Sequence, residues 1–229
     1  MKSHLIGLLN MKSRINMKLI AGSARCTSAR AVFCLVFLAL AGCALPDKPV
    51  RPQLYDLGPP PPVAAGAAPE AGALALDAVS APAAIDGTQM IYRLAYSDGG
   101  QQPRPYAQAR WAMTPPQLLG QRLRQALSAR RPVVEAGAGL AAVELHVELD
   151  EFAQIFTAAD ASEGVLRLRV TAVAPAAARG HRLLGQRSFT VRQPAPTADA
   201  PGAAAALRAA TDEAVRQMTD WVDSLPAPQ

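Results

Sequence analysis

Cysteine is scarce in this chain and crowded to one end. Its three residues, Cys26, Cys34 and Cys43, all precede position 44. The remaining 186 residues therefore hold no disulfide, no thiol nucleophile and no cysteine metal cluster, and must be stabilised by an apolar core. Acid is absent from residues 1 to 42, which carry six Lys and Arg. Histidine is nearly missing, with only His146 and His181 beyond that segment, and neither belongs to a His-Glu-x-x-His pattern. There is no Gly-x-Ser-x-Gly elbow near Ser162 or Ser188, and Gly137-Ala138-Gly139 lacks the Lys-Ser/Thr of a phosphate loop. Nucleotide hydrolysis and the familiar hydrolase chemistries thus have no sequence signature here. No apolar run reaches the roughly 20 residues that span a bilayer.

The longest apolar run, Ala31 to Ala41, is closed by Leu40-Ala41-Gly42-Cys43 and followed by Ala44, Leu45 and Pro46. A basic lead, a short apolar stretch, two small residues and a cysteine form a lipobox, the processing signal of bacterial lipoproteins. It implies cleavage between Gly42 and Cys43, diacylglycerol on the Cys43 thiol, and a further acyl chain such as palmitate on the new amino terminus. The lead is long, and Met1, Met11 and Met17 are all open as start sites. Removing residues 1 to 42 changes the charge argument. The whole chain is +5, but from Cys43 onward 17 cations face 18 anions, so the basic balance gives no reason to expect nucleic acid.

Residues 43 to 73 read as the lipidated cysteine followed by a Pro/Ala-rich tether, with Pro59 to Pro62 favouring an extended chain of about 3.1 Å per residue. One island, residues 53 to 57, is apolar and aromatic enough for a short edge strand. Residues 74 to 225 read as one domain and 226 to 229 as a tail. Period-two alternation marks strands at Leu74 to Ala78, Met90 to Tyr96, Val143 to Leu149, Leu166 to Ala172 and Leu183 to Val191, and a further short strand is expected at Tyr106 to Trp111, after the Ser97 to Gly100 loop. Beyond Leu149 the apolar phase slips to Phe152 and Phe156, which predicts a bulge near Asp150-Glu151. Thr114-Pro115-Pro116-Gln117 fits a capping box opening a helix with Leu119, Leu123, Ala126 and Leu127 inward, and Arg122 among the residues facing water. A last helix presents Leu207, Ala210, Ala214, Met218, Trp221 and Leu225, and Pro226 ends it. The expected fold is α+β: a mainly antiparallel sheet with two amphipathic helices packed on one face, in strand, helix, strand, helix order.

These features together carry a family resemblance. The lipobox, Tyr55-Asp56-Leu57-Gly58, Tyr92-Arg93, the stretch from Tyr106 through Trp111 into Pro115-Pro116-Gln117-Leu118-Leu119, the Leu183 to Phe189 strand and the amphipathic C-terminal helix resemble the ABC-type transport auxiliary lipoproteins, including PqiC-like members. The resemblance implies a non-enzymatic accessory to envelope transport of lipid or organic solvent. Its partners would be an MCE-domain protein with an ABC permease and ATPase, with phospholipid as cargo, and a homo-oligomer is compatible with it. It implies no cofactor and no metal. Ala44 occupies the sorting position where Asp retains many lipoproteins at the inner membrane, so the resemblance implies outer-membrane anchoring with the domain in the periplasm. A general envelope-assembly or surface-binding lipoprotein is the alternative, and a hydrolase using His146 beside Glu144, Glu148, Asp150 and Glu151 is a distant third. Tyr92, Tyr96, Tyr106 and Trp111 fit either a groove for a partner or lipid, or ordinary core packing; the sequence leaves both open. Arg167, Arg169, Arg182 and Arg187 offer a basic face or a solvated one.

Overall fold

The structure is a computed structural model, and it describes residues 51–62, 72–98, 100–137, 139–176 and 180–226. All lie in one compact unit, Val50–Gln229. Its elements in chain order are β1 (Gln53–Tyr55), β2 (Leu74–Leu76), β3 (Gln89–Leu94), β4 (Arg104–Trp111), α1 (Pro115–Ser128), β5 (Val133–Val134), β6 (Val143–Phe156), β7 (Ser162–Ala176), β8 (Gly180–Pro194) and α2 (Ala200–Asp223).

The eight strands form one sheet, and β6 is its axis. Along one edge β6 pairs antiparallel with β7 from Glu144 to Phe156, and β7 pairs antiparallel with β8. The other edge of β6 is shared. Its first part, Val143–Leu145, takes β2 in parallel, and its last part, Gln154–Phe156, takes β3 in parallel. β3 then pairs antiparallel with β4, β4 parallel with β1, and β2 parallel with β5. The expectation of a mainly antiparallel sheet is therefore corrected: the sheet is mixed, and four of its seven strand pairings are parallel. In chain order four strands precede α1 and four more precede α2. The physical reason is long-range. Parallel neighbours need a crossover connection, and the chain from β3 to β6 supplies one that contains α1.

The alternation in β6 has the consequence that its residues suggest. Val143, Leu145, Val147 and Leu149 are buried while His146 and Glu148 are exposed. The pairing with β7 then skips Asp150, a bulge that reverses the faces, so that Phe152, Gln154 and Phe156 turn inward.

Helix α1 opens at Thr114, whose backbone N–H donates to Gln117 Oε1 at 3.1 Å, with prolines at the first two positions. Its buried stripe is Leu118, Leu119, Arg122, Leu123 and Leu127. Helix α2 opens at Asp199, whose carboxylate accepts from the Gly202 amide at 2.9 Å and from the Thr197 hydroxyl at 2.5 Å. Those two hydrogen bonds, the hydroxyl's being the larger influence, hold the Asp199 carboxyl below its ordinary range. α2 is built largely of alanine on its buried side, with Ala203, Ala206, Ala210 and Ala214 beside Leu207, Met218 and Val222. Small side chains let it lie close to β7 and β8, on which it packs, while α1 packs against α2 and β5. Two buried threonines on α2 spend their hydroxyls on the preceding turn, Thr211 to the Leu207 carbonyl and Thr219 to the Val215 carbonyl, both at 2.7 Å.

Candidate functional site: the Arg122 clasp and the tyrosine cluster

Leu57 and Gly58 follow β1 and return the chain toward α1. Leu57 is buried, and Gly58 adopts a positive φ of 62°, a turn stabilised by its amide donating to Asp56 Oδ1 at 2.7 Å. The turn points two carbonyls at Arg122. The guanidinium Nη2 donates to the Leu57 carbonyl at 2.6 Å and to the Gly58 carbonyl at 3.1 Å, while Nε lies 3.2 Å from Asp212 Oδ1 on α2. Arg122 itself is 4% exposed. One buried cation thus joins three separate segments, and its rigid fork is the side-chain shape that can do so. Burial pushes the Asp212 carboxyl up, outweighing the opposite pull of Arg122 and Arg208.

Beside the clasp, α1 and α2 border a cleft of about 580 Å³ whose lining includes Pro61, Pro62, Ala126, Val215 and Asp212. Across the cleft mouth Arg130 reaches Asp223 at 2.5 Å and Asp220 at 3.2 Å, and Arg131 reaches Asp223 at 2.6 Å, tying the end of α1 to the end of α2.

The four aromatic candidates separate. Trp111, at the end of β4, is 1% exposed and packs edge-on against Phe152 with ring centroids 5.3 Å apart. It belongs to the core. Tyr92 and Tyr106 are half-buried neighbours on β3 and β4, with centroids 4.8 Å apart, and Tyr92 also meets Phe156 edge-on at 5.7 Å. Tyr96, just past β3, is 49% exposed. The Tyr106 hydroxyl donates to Gln154 Oε1 at 2.5 Å, and Gln154, wholly buried, passes its amide protons to Ser162 Oγ at 2.8 Å and the Asp199 carbonyl at 3.4 Å. Burial, with smaller contributions from Asp199 and Tyr92, pushes the Tyr106 phenol up to about 12. The neutral phenol is the form that can donate to Gln154. Replacing Tyr106 by Phe is expected to cost about 1–3 kcal/mol in urea unfolding, because a buried acceptor loses its donor. The pH dependence has a definite sign: a folded pKa above the unfolded value of 10.0 gives stability that is complete below pH 10 and lost as pH rises toward 12. In Tyr106→Phe that part of the alkaline loss should vanish; an unchanged profile would exclude Tyr106 as its source.

Most of the polar candidates are paired. Arg167 pairs with Glu151 at 2.9 Å, and Arg169 with Glu148 at 3.4 Å and Asp150 at 3.6 Å. His146 lies 3.3 Å from Asp77, and His181 lies 3.2 Å from Glu144. The sheet face bearing Arg167 and Arg169 is therefore charge-balanced, and exposed pairs of this kind contribute little to stability. Among the described residues, no group of three or more His, Cys, Asp or Glu side chains is placed to hold a metal. Gly42, Cys43 and Ala44 lie outside the described residues. Sequence reasoning missed Arg122 as a functional residue. The available signal was its position, four residues after Leu118 and three after Leu119, inside the apolar stripe.

Among solved structures, the fold is similar to the crystal structure of protein XCC0632 from Xanthomonas campestris. The TM-score is 0.61 at 19% identity, over 74% of this chain and 94% of that one. It is also similar to the crystal structure of an uncharacterized protein, with a TM-score of 0.56 at 16% identity over 75% and 99% of the two chains. These likenesses establish a shared fold. No functionally curated protein matches the chain by sequence. The sequence profile of one family, however, runs from Tyr55 in β1 to Thr219 in the last turns of α2, taking in the clasp, the tyrosine cluster and the whole sheet from β2 to β8. The chain belongs to the family of ABC-type transport auxiliary lipoprotein components.

Proposed function

We propose that this protein is a non-enzymatic outer-membrane lipoprotein, acylated at Cys43, which positions the MCE-domain partner of an ABC-type system moving lipid or organic solvent through the envelope. Family membership over residues 55–219 is the observation that carries this reading. The clasp gives it a physical form. A domain that merely needed to be near a membrane could hang on a slack tether, whereas here the segment from Gln53 to Gly58 is built into the sheet through β1 and held by Arg122. The anchor side of the chain therefore enters the domain at a fixed point, which suits a part that must present one face to a partner. The membrane contact itself is supplied by the acyl groups on Cys43. Several chains hold far more firmly than one, since each buried methylene contributes about 0.8 kcal/mol.

Two measurements test the assignment. Purification of the acylated full chain from detergent-solubilised envelopes should recover an MCE-domain protein with an ABC permease or ATPase, and phospholipid should co-purify. Recovery of none of these proteins would remove the partner assignment. Separately, Cys43→Ser should leave an unprocessed precursor, still carrying residues 1 to 42, in the inner-membrane fraction. A variant that was cleaved and fractionated with the outer membrane would sink the lipobox reading.

A further inference from the structure

β8 is a strand of 15 residues and, among the described residues, it is paired on one edge only, with β7. From Gly185 to Gln193 that pairing is regular, following a bulge at Leu184, so the opposite edge presents a long row of backbone donors and acceptors that ends at Pro194. α2 packs on the face of β8, where Trp221 meets Phe189 at 6.1 Å between centroids, and leaves Arg187, Ser188, Thr190 and Arg192 exposed. Edge strands are commonly guarded by proline or by charges that repel a neighbour. Between Gly180 and Gln193 there is no proline, and the charges are of one sign, Arg182, Arg187 and Arg192, with no acid.

Two of these cations are already engaged within the fold. Arg192 pairs with Glu163, and Arg187 lies over the Phe189 ring, 5.2 Å from its centroid. Neither Arg182 nor Arg187 has an acidic partner among the described residues. A strand laid against this edge would run beside unneutralised guanidinium groups, and opposite charges on adjacent strands attract while like charges repel.

We infer that the free edge of β8 receives an extended, acidic segment of a partner protein, which adds a ninth strand to the sheet. Main-chain hydrogen bonds would supply the affinity and the arginines the selection. Charge also decides against the simplest self-association. Two copies of β8 side by side would set cation against cation, and the other end strands, β1 and β5, have only three and two residues to offer against fifteen. The inference concerns the edge alone and does not depend on the partner belonging to a transport system.

Ser188→Cys, carrying a benzophenone maleimide, places a photo-crosslinker on the exposed middle of β8 in the full-length protein, with Ala205→Cys on the exposed side of α2 as the control. Irradiated in native envelope membranes and analysed by mass spectrometry, the β8 probe should join an acidic stretch of a different protein, and the control should not. Reversing the two cations that lack an acidic partner with Arg182→Glu and Arg187→Glu should reduce that adduct by more than about tenfold. The wild-type-charge adduct should also weaken as salt is raised at constant protein, a readout that stands even if the doubly reversed variant folds poorly. An adduct confined to a second copy of this chain, no adduct above the control, or one indifferent to salt and to charge reversal would each overturn the inference.

Discussion

Arg122→Met is expected to destabilise the domain by about 3 kcal/mol and to release the Gln53–Gly58 segment. The magnitude follows from what the substitution leaves behind. Breaking a buried ion pair from one side costs about 3–5 kcal/mol, because the remaining charge stays desolvated. The lower end applies here, since the Asp212 side chain retains 25% exposure and can recover some hydration. Two carbonyls lose their donor as well, at Leu57 and Gly58. Amide exchange across residues 53–58 should accelerate more than exchange in β6 or β7. Arg122→Lys should rescue little, because one ammonium cannot reach both the Asp212 carboxylate and the paired carbonyls. Adding Asp212→Leu to Arg122→Met removes the stranded carboxylate, so the double variant should be more stable than Arg122→Met alone while its residues 53–58 remain released. Simple additivity in that cycle would show that the two side chains act independently and would refute the clasp.

Gly164→Ala should be nearly as damaging for an unrelated reason. Gly164 sits in β7 where α2 crosses closest, and a Cβ there would fall 2.8 Å from the carbonyl carbon of Ala206 and from the amide nitrogen of Leu207. Those atoms are helix backbone and cannot swing aside. β7 cannot retreat either, because Gly164 is held between Gln154 on β6 and Gln193 on β8. The helix must shift, and overpacking of this kind costs about 1–3 kcal/mol, occasionally more. In a domain of this size each kcal/mol lowers Tm by about 2–4 °C, so a fall of about 2–12 °C is expected. Removing the helix methyl with Ala206→Gly should restore little, since the two closest approaches are to backbone. Full restoration would mean that side-chain crowding alone was responsible.

Both residues show how far the sequence is readable. Strand β6 announced itself, including the slip at Asp150-Glu151, because a half-buried strand writes its faces into alternate residues. Helix α1 was equally plain in its Thr114 cap and its leucines. At Arg122 residue type and position disagree: a guanidinium suggests water, but on the helix it continues the stripe of Leu118 and Leu119. The parallel pairings left no comparable trace. β2 and β5 have three and two residues, too few for periodicity to register, and whether a strand meets its neighbour in parallel depends on chain connections rather than on its own side chains. Nothing near Gly164 in the sequence announced its role, since the need for a bare Cα comes from a helix more than forty positions later. Of the aromatic candidates, Trp111 was resolved by burial alone, a quantity that alternation on one short strand does not determine.

The sharing of one β6 edge by β2 and β3 sets an order of assembly. β7 and β8 follow β6 directly through short connections, so the three can zip together as a local meander. β2 and β3 precede their β6 partner by more than sixty positions, and Arg122 precedes Asp212 by ninety. Such contacts require large loops to close before they reward the chain. In a protein emerging from its amino end, the first strands are thus made first and completed last. β2 and β3 must wait, unpartnered along that edge, until the centre of the sheet exists to receive them.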